Sequence, residues 1–214
     1  EKILKDKLPF QIDQIKDKKY NTLEGTLTVY APKIFNELAE MDETGRDLAA
    51  SLNLHYNFRR ILKAGTTIGG GKSGEFFFFS TDNKLMIKII KDSELKILLE
   101  ILPSYYAYFQ ENPHSLISKI YGVFTFEAAD KSEKYNLVLM RNVTAYPTRC
   151  IERKYDLKGS TYGRITVSEH ADIPTSSLKY EGVLKDLDFL RFEKVLHIED
   201  TLRPKLYSIL EKDA

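Results

Sequence analysis

The amino-acid sequence predicts an α+β fold in which most of the sheet is antiparallel. Two short β-prone runs, residues 75–80 and 84–90, are separated by the turn segment 81–83, which indicates a hairpin. Further β-prone runs follow one another with turns between them, whereas parallel strands need long, usually helical crossovers. Apolar residues recur at helical spacing over residues 32–41 and 93–102, so helices accompany the sheet.

The composition is that of a globular protein. The chain has 214 residues, of which 43% are hydrophobic and 29% are charged, and this excludes wholesale disorder. The formal net charge of +1 and the core periodicity of the aromatic residues argue against a nucleic-acid partner. A single cysteine, Cys150, fits a reducing compartment. With no apolar run near the roughly 20 residues of a membrane span and no signal peptide, we expect a soluble, intracellular protein.

The N-terminal quarter predicts a lead-in followed by two helices. Residues 1–29 are rich in lysine and aspartate and weakly patterned, which indicates an edge strand or an ordered lead-in. Pro32 suits the first turn of a helix, because that position has no intrahelical partner for a backbone N–H. The apolar face of this helix consists of Ile34, Phe35, Leu38 and Met41. A second, short helix is predicted over residues 45–54.

The remaining elements are one long helix, several strands and a final helix. Asp92-Ser93 offers an N-cap for the helix over residues 93–102, and Pro103 is expected to kink or end that helix. The final helix is predicted over residues 201–213. The predicted strands are residues 117–126, 135–141 and 150–157, with a weaker one at 178–190.

The strongest local signal is the glycine-rich segment 69–74, Gly-Gly-Gly-Lys-Ser-Gly. A Walker A loop would bind nucleotide phosphates, but it needs a glycine where this sequence has Thr66. It also opens a helix from Ser73, whereas Phe76–Phe79 favour a strand. A P-loop nucleotide hydrolase is therefore the weaker alternative. The glycine loop between antiparallel strands that covers ATP in protein kinases is the stronger one.

A kinase-type glycine loop needs a lysine on a following strand, and Lys88 stands there. A lysine among apolar neighbours needs an anionic partner if it points inward, although it could simply face solvent. The helix that follows offers Glu94 or Glu100 as the orienting carboxylate, and we favour Glu94. The alternative role of Glu94 is a first-turn acid that complements the helix dipole.

A second cluster lies between Arg141 and Arg164. The two-residue period of a strand puts Asp156 and Lys158 on one face, and a turn then carries Arg164. This stretch holds six basic and two acidic residues, an excess of +4 in a nearly neutral chain. Such a patch suggests a phosphorylated or anionic partner, although a charged, solvated strand edge is the alternative.

These segments, in this order, resemble the phosphatidylinositol phosphate kinases, the lipid kinases that make phosphatidylinositol bisphosphates. The resemblance covers residues 26–214 and includes the glycine loop, the Lys88 strand and the Asp-Leu-Lys-Gly-Ser signature of residues 156–160. The other matching segments are residues 31–35, 50–52, 102–106, 121–122, 137–143 and 184–189. The resemblance implies a kinase-like N-lobe, an antiparallel sheet with helices that covers ATP, plus part of the second lobe.

The resemblance also implies which residues bind the nucleotide. Lys88 would hold the α- and β-phosphates, and Asn142 and Val143 would line the adenine-binding hinge. Glu75 departs from the small residue that the family usually has there, which leaves the geometry of the loop open. The residues that would cover the phosphates are Gly71, Lys72, Ser73 and Gly74.

For the reaction itself, the resemblance implies that Lys158 and Arg164 face the transferred phosphate and the phosphates of the inositol ring. The predicted catalytic residues are Lys88, Glu94, Asp156 and Lys158. No residue is predicted to ligate a metal, and residues 185–188 are treated as structural.

We therefore expect a lipid kinase that uses ATP and Mg²⁺ and converts phosphatidylinositol 4-phosphate to the 4,5-bisphosphate. Its expected location is cytoplasmic, peripheral on the anionic inner face of the plasma membrane, and a homodimer is a possible assembly. The family's catalytic-aspartate and metal-binding-aspartate motifs are absent, so residues 26–214 are predicted to be a catalytic domain truncated before them, with 1–25 as lead-in. This fragment alone is expected to be inactive. The alternative is a non-catalytic module that binds nucleotide or anionic membrane.

Overall fold

A computed structural model describes residues 5–11, 24–53, 69–70, 76–146, 151–167 and 182–214. The chain divides into two compact units, residues 1–143 with Asp213, and residues 144–212 with Ala214. Each unit is considered by itself. Cys150 lies outside the described residues.

The first unit is built on one antiparallel sheet. Its described strands are β1 (Lys5–Gln11), β2 (Glu24–Tyr30), β3 (Gly69–Gly70), β4 (Phe76–Phe79), β5 (Leu85–Ile90), β6 (Ile120–Ala128) and β7 (Lys134–Arg141). They lie in the order β1-β2-β6-β7-β5-β4-β3, and each described pairing is antiparallel. The predicted α+β class is therefore confirmed. β1 is the edge strand of the same sheet that carries β5.

The helices of this unit pack against both faces of the sheet, the two longest mainly on the face that carries Ile90 and Val138, and Leu48 on the face that carries Leu85 and Leu139. They are α1 (Pro32–Glu40), α2 (Glu43–Arg46), α3 (Leu48–Ser51) and α4 (Asp92–Glu111). Helix α1 begins at Pro32, as the sequence predicts. The core between helices and sheet joins residues of α1, α4, β5, β6 and β7, among them Phe35, Leu38, Ile90, Leu95, Leu102, Phe109, Val123 and Val138.

Helix α4 differs from its prediction in length. It continues through Pro103 for two further turns and ends at Glu111. Leu102 and Phe109 lie on either side of the proline and are both almost completely buried. Their burial outweighs the single backbone hydrogen bond that proline cannot donate, so the helix persists.

The second unit contains less regular structure among its described residues. Strand β8 (Lys154–Asp156) pairs with β9 (Val183–Lys185) in parallel, which differs from the antiparallel arrangement predicted for most of the chain. Two helices follow, α5 (Asp186–Phe192) and α6 (Arg203–Asp213). The described part of the weak strand predicted over residues 178–190, which is residues 182–190, is a strand only at β9, because a helix begins at Asp186.

None of the helices in the described part of the chain is both long enough and apolar enough to cross a membrane.

We predict that Phe109→Ala destabilises the protein by about 3–5 kcal/mol, because the ring is fully buried between α4 and the sheet. The matched control is Ile97→Ala on the same helix, where the side chain is 57% exposed and the cost should be under about 1 kcal/mol. Urea-induced unfolding measures both. Equal losses in the two variants would contradict the packing of α4 described above.

Candidate functional site

The glycine-rich segment begins in a strand and is followed by another. Gly69 pairs with Phe77 and Gly70 with Phe76 across the antiparallel β3–β4 ladder. Gly71, Lys72, Ser73 and Gly74, the predicted phosphate-covering residues, lie outside the described residues. Because residues 76–79 form a strand where a P-loop nucleotide hydrolase needs a helix, that alternative is wrong.

Lys88 lies in the middle of β5, between Phe77 of β4 and Val138 of β7. Its side chain shares a face of the sheet with Ile90, which is buried in the core beneath α4. Lys88 therefore points toward the face of the sheet that α4 covers. Its Nζ lies 3.8 Å from Oε1 of Glu94, and the lysine side chain keeps 24% of its surface exposed.

Glu94 has two partners at the start of α4. While Oε1 faces Lys88, Oε2 accepts the backbone N–H of Lys91 at 2.8 Å. Lys91, and not the predicted Asp92-Ser93, is the N-cap residue. Glu100, the other candidate, lies 3.9 Å from Lys96 on an exposed face of the helix. Glu94 is thus the carboxylate beside Lys88, and it also caps the helix; its catalytic role stays a prediction.

The predicted hinge follows β7 directly. The Asn142 side chain is buried and donates to the carbonyl of Asn83 at 2.6 Å, while its backbone N–H donates to the carbonyl of Lys84 at 2.9 Å. Val143, the next residue, is exposed. Asn142 therefore ties the end of β7 to the β4–β5 turn and leaves Val143 accessible.

Arg141, the last residue of β7, is held in place by an ion pair. Its Nη1 lies 3.0 Å from Oδ2 of the buried Asp42, which precedes α2. Burial alone would raise the pKa of the Asp42 carboxyl, but the amide of Thr44 and the charge of Arg141 lower it overall. The ionised form of Asp42 is thus favoured, and it anchors the strand from which the hinge emerges.

In the second unit, Asp156 and Lys158 lie together although β8 ends at Asp156. The Lys158 Nζ is 3.7 Å from Oδ2 of Asp156, and the lysine side chain is 65% exposed. The sequence predicted both on one face of a strand. The structure instead brings the side chains together across the first residues of a loop.

Arg164 has a different environment from Lys158, since its side chain is only 10% exposed. Its Nε donates to Oδ2 of Asp186 at 2.7 Å, and its Nη2 lies 3.2 Å from Oδ2 of Asp156 and also donates to the Asp156 carbonyl. The guanidinium is therefore engaged by two aspartates. That it also faces an inositol phosphate stays a prediction.

Asp186, the first residue of α5, was not predicted as a site residue. Its Oδ1 accepts the backbone N–H groups of Lys158 at 2.9 Å and Gly159 at 2.8 Å. The Arg164 guanidinium, together with these two amides, holds the pKa of the Asp186 carboxyl well below its usual range. Asp186 thus stays ionised at any physiological pH.

Asp188 has a similar structural task two residues later. It is completely buried and accepts the backbone N–H groups of Thr166 at 2.9 Å, Val167 at 3.1 Å and Lys185 at 3.0 Å. The sequence carries a signal for both aspartates. They alternate with the apolar residues Leu184, Leu187 and Phe189, and an acid inside an apolar segment requires donors.

Metal ligands are a separate question. Among the described residues, no group of three or more His, Cys, Asp or Glu side chains is placed to hold a metal ion. Asp156 and Asp186 are already engaged by Arg164, Lys158 and backbone amides. We therefore assign no described residue to Mg²⁺.

Comparison with known proteins identifies the family. Residues 63–214, which include the glycine segment, Lys88 and the Asp156–Arg164 cluster, match the family of phosphatidylinositol-4-phosphate 5-kinases. The chain belongs to this family. Its members are phosphoinositide kinases, so the family uses ATP as the phosphate donor.

Individual members of the phosphatidylinositol-4-phosphate 5-kinase family support the match. The chain is 35% identical over 179 residues to phosphatidylinositol 4-phosphate 5-kinase 8 of Arabidopsis thaliana, which is 83% of the chain and 21% of that protein. It is 39% identical over 118 residues to kinase 1 of the same plant, 55% of the chain and 15% of the relative. The chain is also 35% identical over 121 residues to the human phosphatidylinositol 4-phosphate 5-kinase type-1 alpha, which is 56% of the chain and 20% of that protein. The chain thus spans about a fifth or less of the length of the curated relatives it matches.

We predict that Arg164→Lys lowers the melting temperature of this kinase-family chain clearly, because a lysine cannot bridge Asp156 and Asp186 as the guanidinium does. Since the folded-state pKa of Asp186 is depressed, the difference should be constant above about pH 5 and should shrink as the pH falls below about 3.9.

The matched control is Arg203→Lys, whose partner Asp200 is exposed and whose melting temperature should not change. Differential scanning calorimetry between pH 3 and pH 8 measures both variants. A loss that stays constant down to pH 3, or an equal loss at Arg203, would contradict the buried ion pair.

Proposed function

We propose that the chain carries the ATP-binding part of a lipid kinase that transfers the γ-phosphate of ATP to phosphatidylinositol 4-phosphate, giving the 4,5-bisphosphate. The observation that carries this proposal is the Lys88–Glu94 ion pair, whose lysine lies on a sheet that also contains β3, which begins the glycine-rich segment, and β4, which follows that segment. A strand lysine paired with a helix glutamate is how kinases hold the α- and β-phosphates. The names of the related proteins support the choice of lipid.

Lys88 is proposed to bind the phosphates because its ammonium group is positioned but still accessible. The neighbouring strands restrict the lysine stem, and Glu94 attracts its terminal amine without enclosing it. Glu94 is in turn fixed by the N–H of Lys91, so the pair is pre-organised by the strand–helix junction. Such preorganised charge is the main means by which enzymes stabilise phosphoryl transfer.

The remaining parts of the nucleotide site follow from the same sheet. Gly71, Lys72, Ser73 and Gly74 are proposed to cover the phosphates, since they lie in the sequence between the antiparallel strands β3 and β4. Val143, which is exposed, is proposed to meet the adenine. Asn142, the preceding residue, is proposed to fix its position through hydrogen bonds to the β4–β5 turn.

Lys158 is proposed to contact the transferred phosphate. Its side chain is 65% exposed, and its Nζ lies 3.7 Å from Oδ2 of Asp156, which orients it. A positive group at the phosphoryl oxygens stabilises the charge that develops during transfer. Arg164 is proposed to contribute to the positive potential near the inositol phosphates, although its own N–H groups are occupied by the aspartates.

Mg²⁺ neutralises phosphate charge in kinases and is proposed as the cofactor of the intact protein. Because the described residues offer no group of three or more ligands for it, we derive no step through the metal.

We predict that Lys88→Ala in the full-length protein lowers lipid phosphorylation by about 10²–10³-fold, because a preorganised charge on the phosphates is lost. Glu94→Gln, which retains an acceptor for the Lys91 N–H and loses the ion pair, should cause a smaller loss. Transfer of radiolabel from ATP to phosphatidylinositol 4-phosphate in vesicles measures both.

The matched controls are Lys96→Ala and Glu100→Gln, which break a fully exposed lysine–glutamate pair on the same helix and should leave activity unchanged. A folded, full-length protein that makes no lipid product would contradict the proposed reaction. Nucleotide binding without any transfer would instead indicate a non-catalytic module.

The second unit is proposed to approach anionic membrane from the cytoplasm. The excess of +4 between Arg141 and Arg164 supports this, since all the charged residues of this stretch except Arg141 lie in the second unit. The side chain of Lys158 is 65% exposed. A peripheral association of this kind is driven by charge. A homodimer remains a prediction that no described contact addresses.

We predict that binding of the full-length protein to vesicles containing phosphatidylserine and phosphatidylinositol 4-phosphate weakens as NaCl rises from 0.05 M to 0.5 M, because salt screens the basic patch. Co-sedimentation with vesicles measures the bound fraction, and vesicles of phosphatidylcholine alone are the control. Binding that is independent of salt would contradict a charge-driven contact.

A further inference from the structure

The loop of residues 157–163 is held at both ends by the carboxylate of Asp186. At its N-terminal end, Oδ1 of Asp186 accepts the amides of Lys158 and Gly159 at 2.9 Å and 2.8 Å. At its C-terminal end, Oδ2 accepts Nε of Arg164 at 2.7 Å. The Arg164 carbonyl accepts the N–H of Leu187 at 3.0 Å, which ties the same end to α5 a second time.

Two further described hydrogen bonds support the loop near its C-terminal end, from the Lys185 ammonium group to the Gly163 carbonyl at 3.0 Å and from the Arg164 N–H to the Thr161 carbonyl at 3.3 Å. Gly159 and Gly163 have φ values of +65° and +64°, so the backbone reverses at both ends in conformations that favour glycine. Between them Tyr162 is 96% exposed. The loop therefore has no apolar core of its own, and the hydrogen bonds at its ends determine where its backbone lies.

Lys158 is the residue for which this matters chemically. Its backbone N–H donates to the buried carboxylate of Asp186, while its side chain is 65% exposed and its Nζ lies 3.7 Å from Oδ2 of Asp156. A flexible lysine can place its charge reproducibly only if its Cα is fixed. Misplacing a catalytic group by about 1 Å can cost on the order of 10²-fold in rate.

Asp188 provides a natural comparison because it performs the same kind of anchoring elsewhere. Its described hydrogen bonds come from the backbone N–H groups of Thr166, Val167 and Lys185. The N–H groups of Lys158 and Gly159 donate to Asp186 instead. A loss that arises from general disruption of this region should follow from changes at either aspartate. A loss that arises from Lys158 should follow from Asp186 alone.

We propose that Asp186 is a positioning residue that fixes Lys158 for phosphoryl transfer. The proposal rests on the proposed function in one respect, the role of Lys158 at the transferred phosphate. It adds a residue that acts through the backbone of Lys158, from a segment for which the sequence indicated only a structural role.

The first test is hydrogen exchange in the full-length protein, which needs no kinase activity. In the unmodified protein, the amides of Lys158 and Gly159 should exchange at least about tenfold more slowly than those of Ser160 and Tyr162, relative to their intrinsic rates. Asp186→Asn should remove most of this protection. Asp188→Asn should instead accelerate exchange at Thr166 and Val167. Unprotected amides at 158 and 159 in the unmodified protein would overturn the proposal, even if no variant folds.

The second test is a double-mutant cycle on lipid phosphorylation. Asp186→Asn should lower kcat by about 10–10²-fold, with the KM for ATP unchanged within about twofold, because the Lys88 site is not altered. In a Lys158→Ala background, Asp186→Asn should cause no further loss. Losses that multiply, or an Asp188→Asn variant with the same kcat loss, would mean that Asp186 has only a structural role and would overturn the proposal.

The two tests also separate this inference from the proposed function. If Lys158→Ala retains full activity, the proposed role of Lys158 fails, and with it the catalytic part of this inference. Protection of the two amides by Asp186 would then still be measured by hydrogen exchange. If Lys158→Ala is impaired and Asp186→Asn is not, the proposed function stands and the positioning role is wrong.

Discussion

The single-residue junction between β5 and α4 constrains most of the first unit. The strand ends at Ile90 and the helix begins at Asp92, so Lys91 alone connects them. Because Ile90 is buried under the helix it precedes, the strand cannot slide without exposing the core, and the helix cannot shift without losing Leu95. The distance between Lys88, three residues before the junction, and Glu94, three after it, is thereby fixed by packing. The ion pair is a consequence of the core and adds little to its stability, since both side chains remain partly exposed.

In the second unit, side-chain carboxylates hold the residues of the candidate site in place. The two strands of this unit have three residues each, so regular backbone pairing satisfies few amides among the described residues. Carboxylates of α5 satisfy them instead: Asp186 and Asp188 together accept five backbone N–H groups. Arg164 then balances the charge of Asp186 in a buried pair. Removing either partner would leave a charge without compensation, so these residues are coupled more closely than their sequence separation indicates.

Local patterns in the sequence predicted most elements of the fold. The hairpin of β4 and β5, the start of α1 at Pro32 and the lysine strand follow from alternation, turn residues and proline geometry, which act over a few residues. The continuation of α4 through Pro103 could not be predicted, because it depends on how much surface Phe109 buries against distant strands. The parallel pairing of β8 with β9 is likewise a tertiary property.

The candidate site was predictable to the same extent. Lys88, and Glu94 as its partner, were predicted from their spacing in the sequence, and the structure places the two side chains together. Arg164 was predicted to face the transferred phosphate and the inositol phosphates, and this role stays a prediction. Its ion pair with Asp186 could not be predicted, because that aspartate lies more than twenty positions away in the sequence. Asp186 was missed for the same reason, because its partners at 158, 159 and 164 become neighbours only after folding.

The order of strands in the first sheet has a consequence for where a folding unit can be cut. The family match begins at residue 63, yet β2 is hydrogen-bonded to β6 within the matched region, and Phe35 and Leu38 of α1 fill the core beneath it. A chain shortened to the matched residues would open a nine-residue strand edge and empty the space of two large side chains. The start of the family match and the boundary of the packed sheet and core therefore do not coincide, because residues before 63 contribute a strand and a core helix to the unit that the matched residues complete.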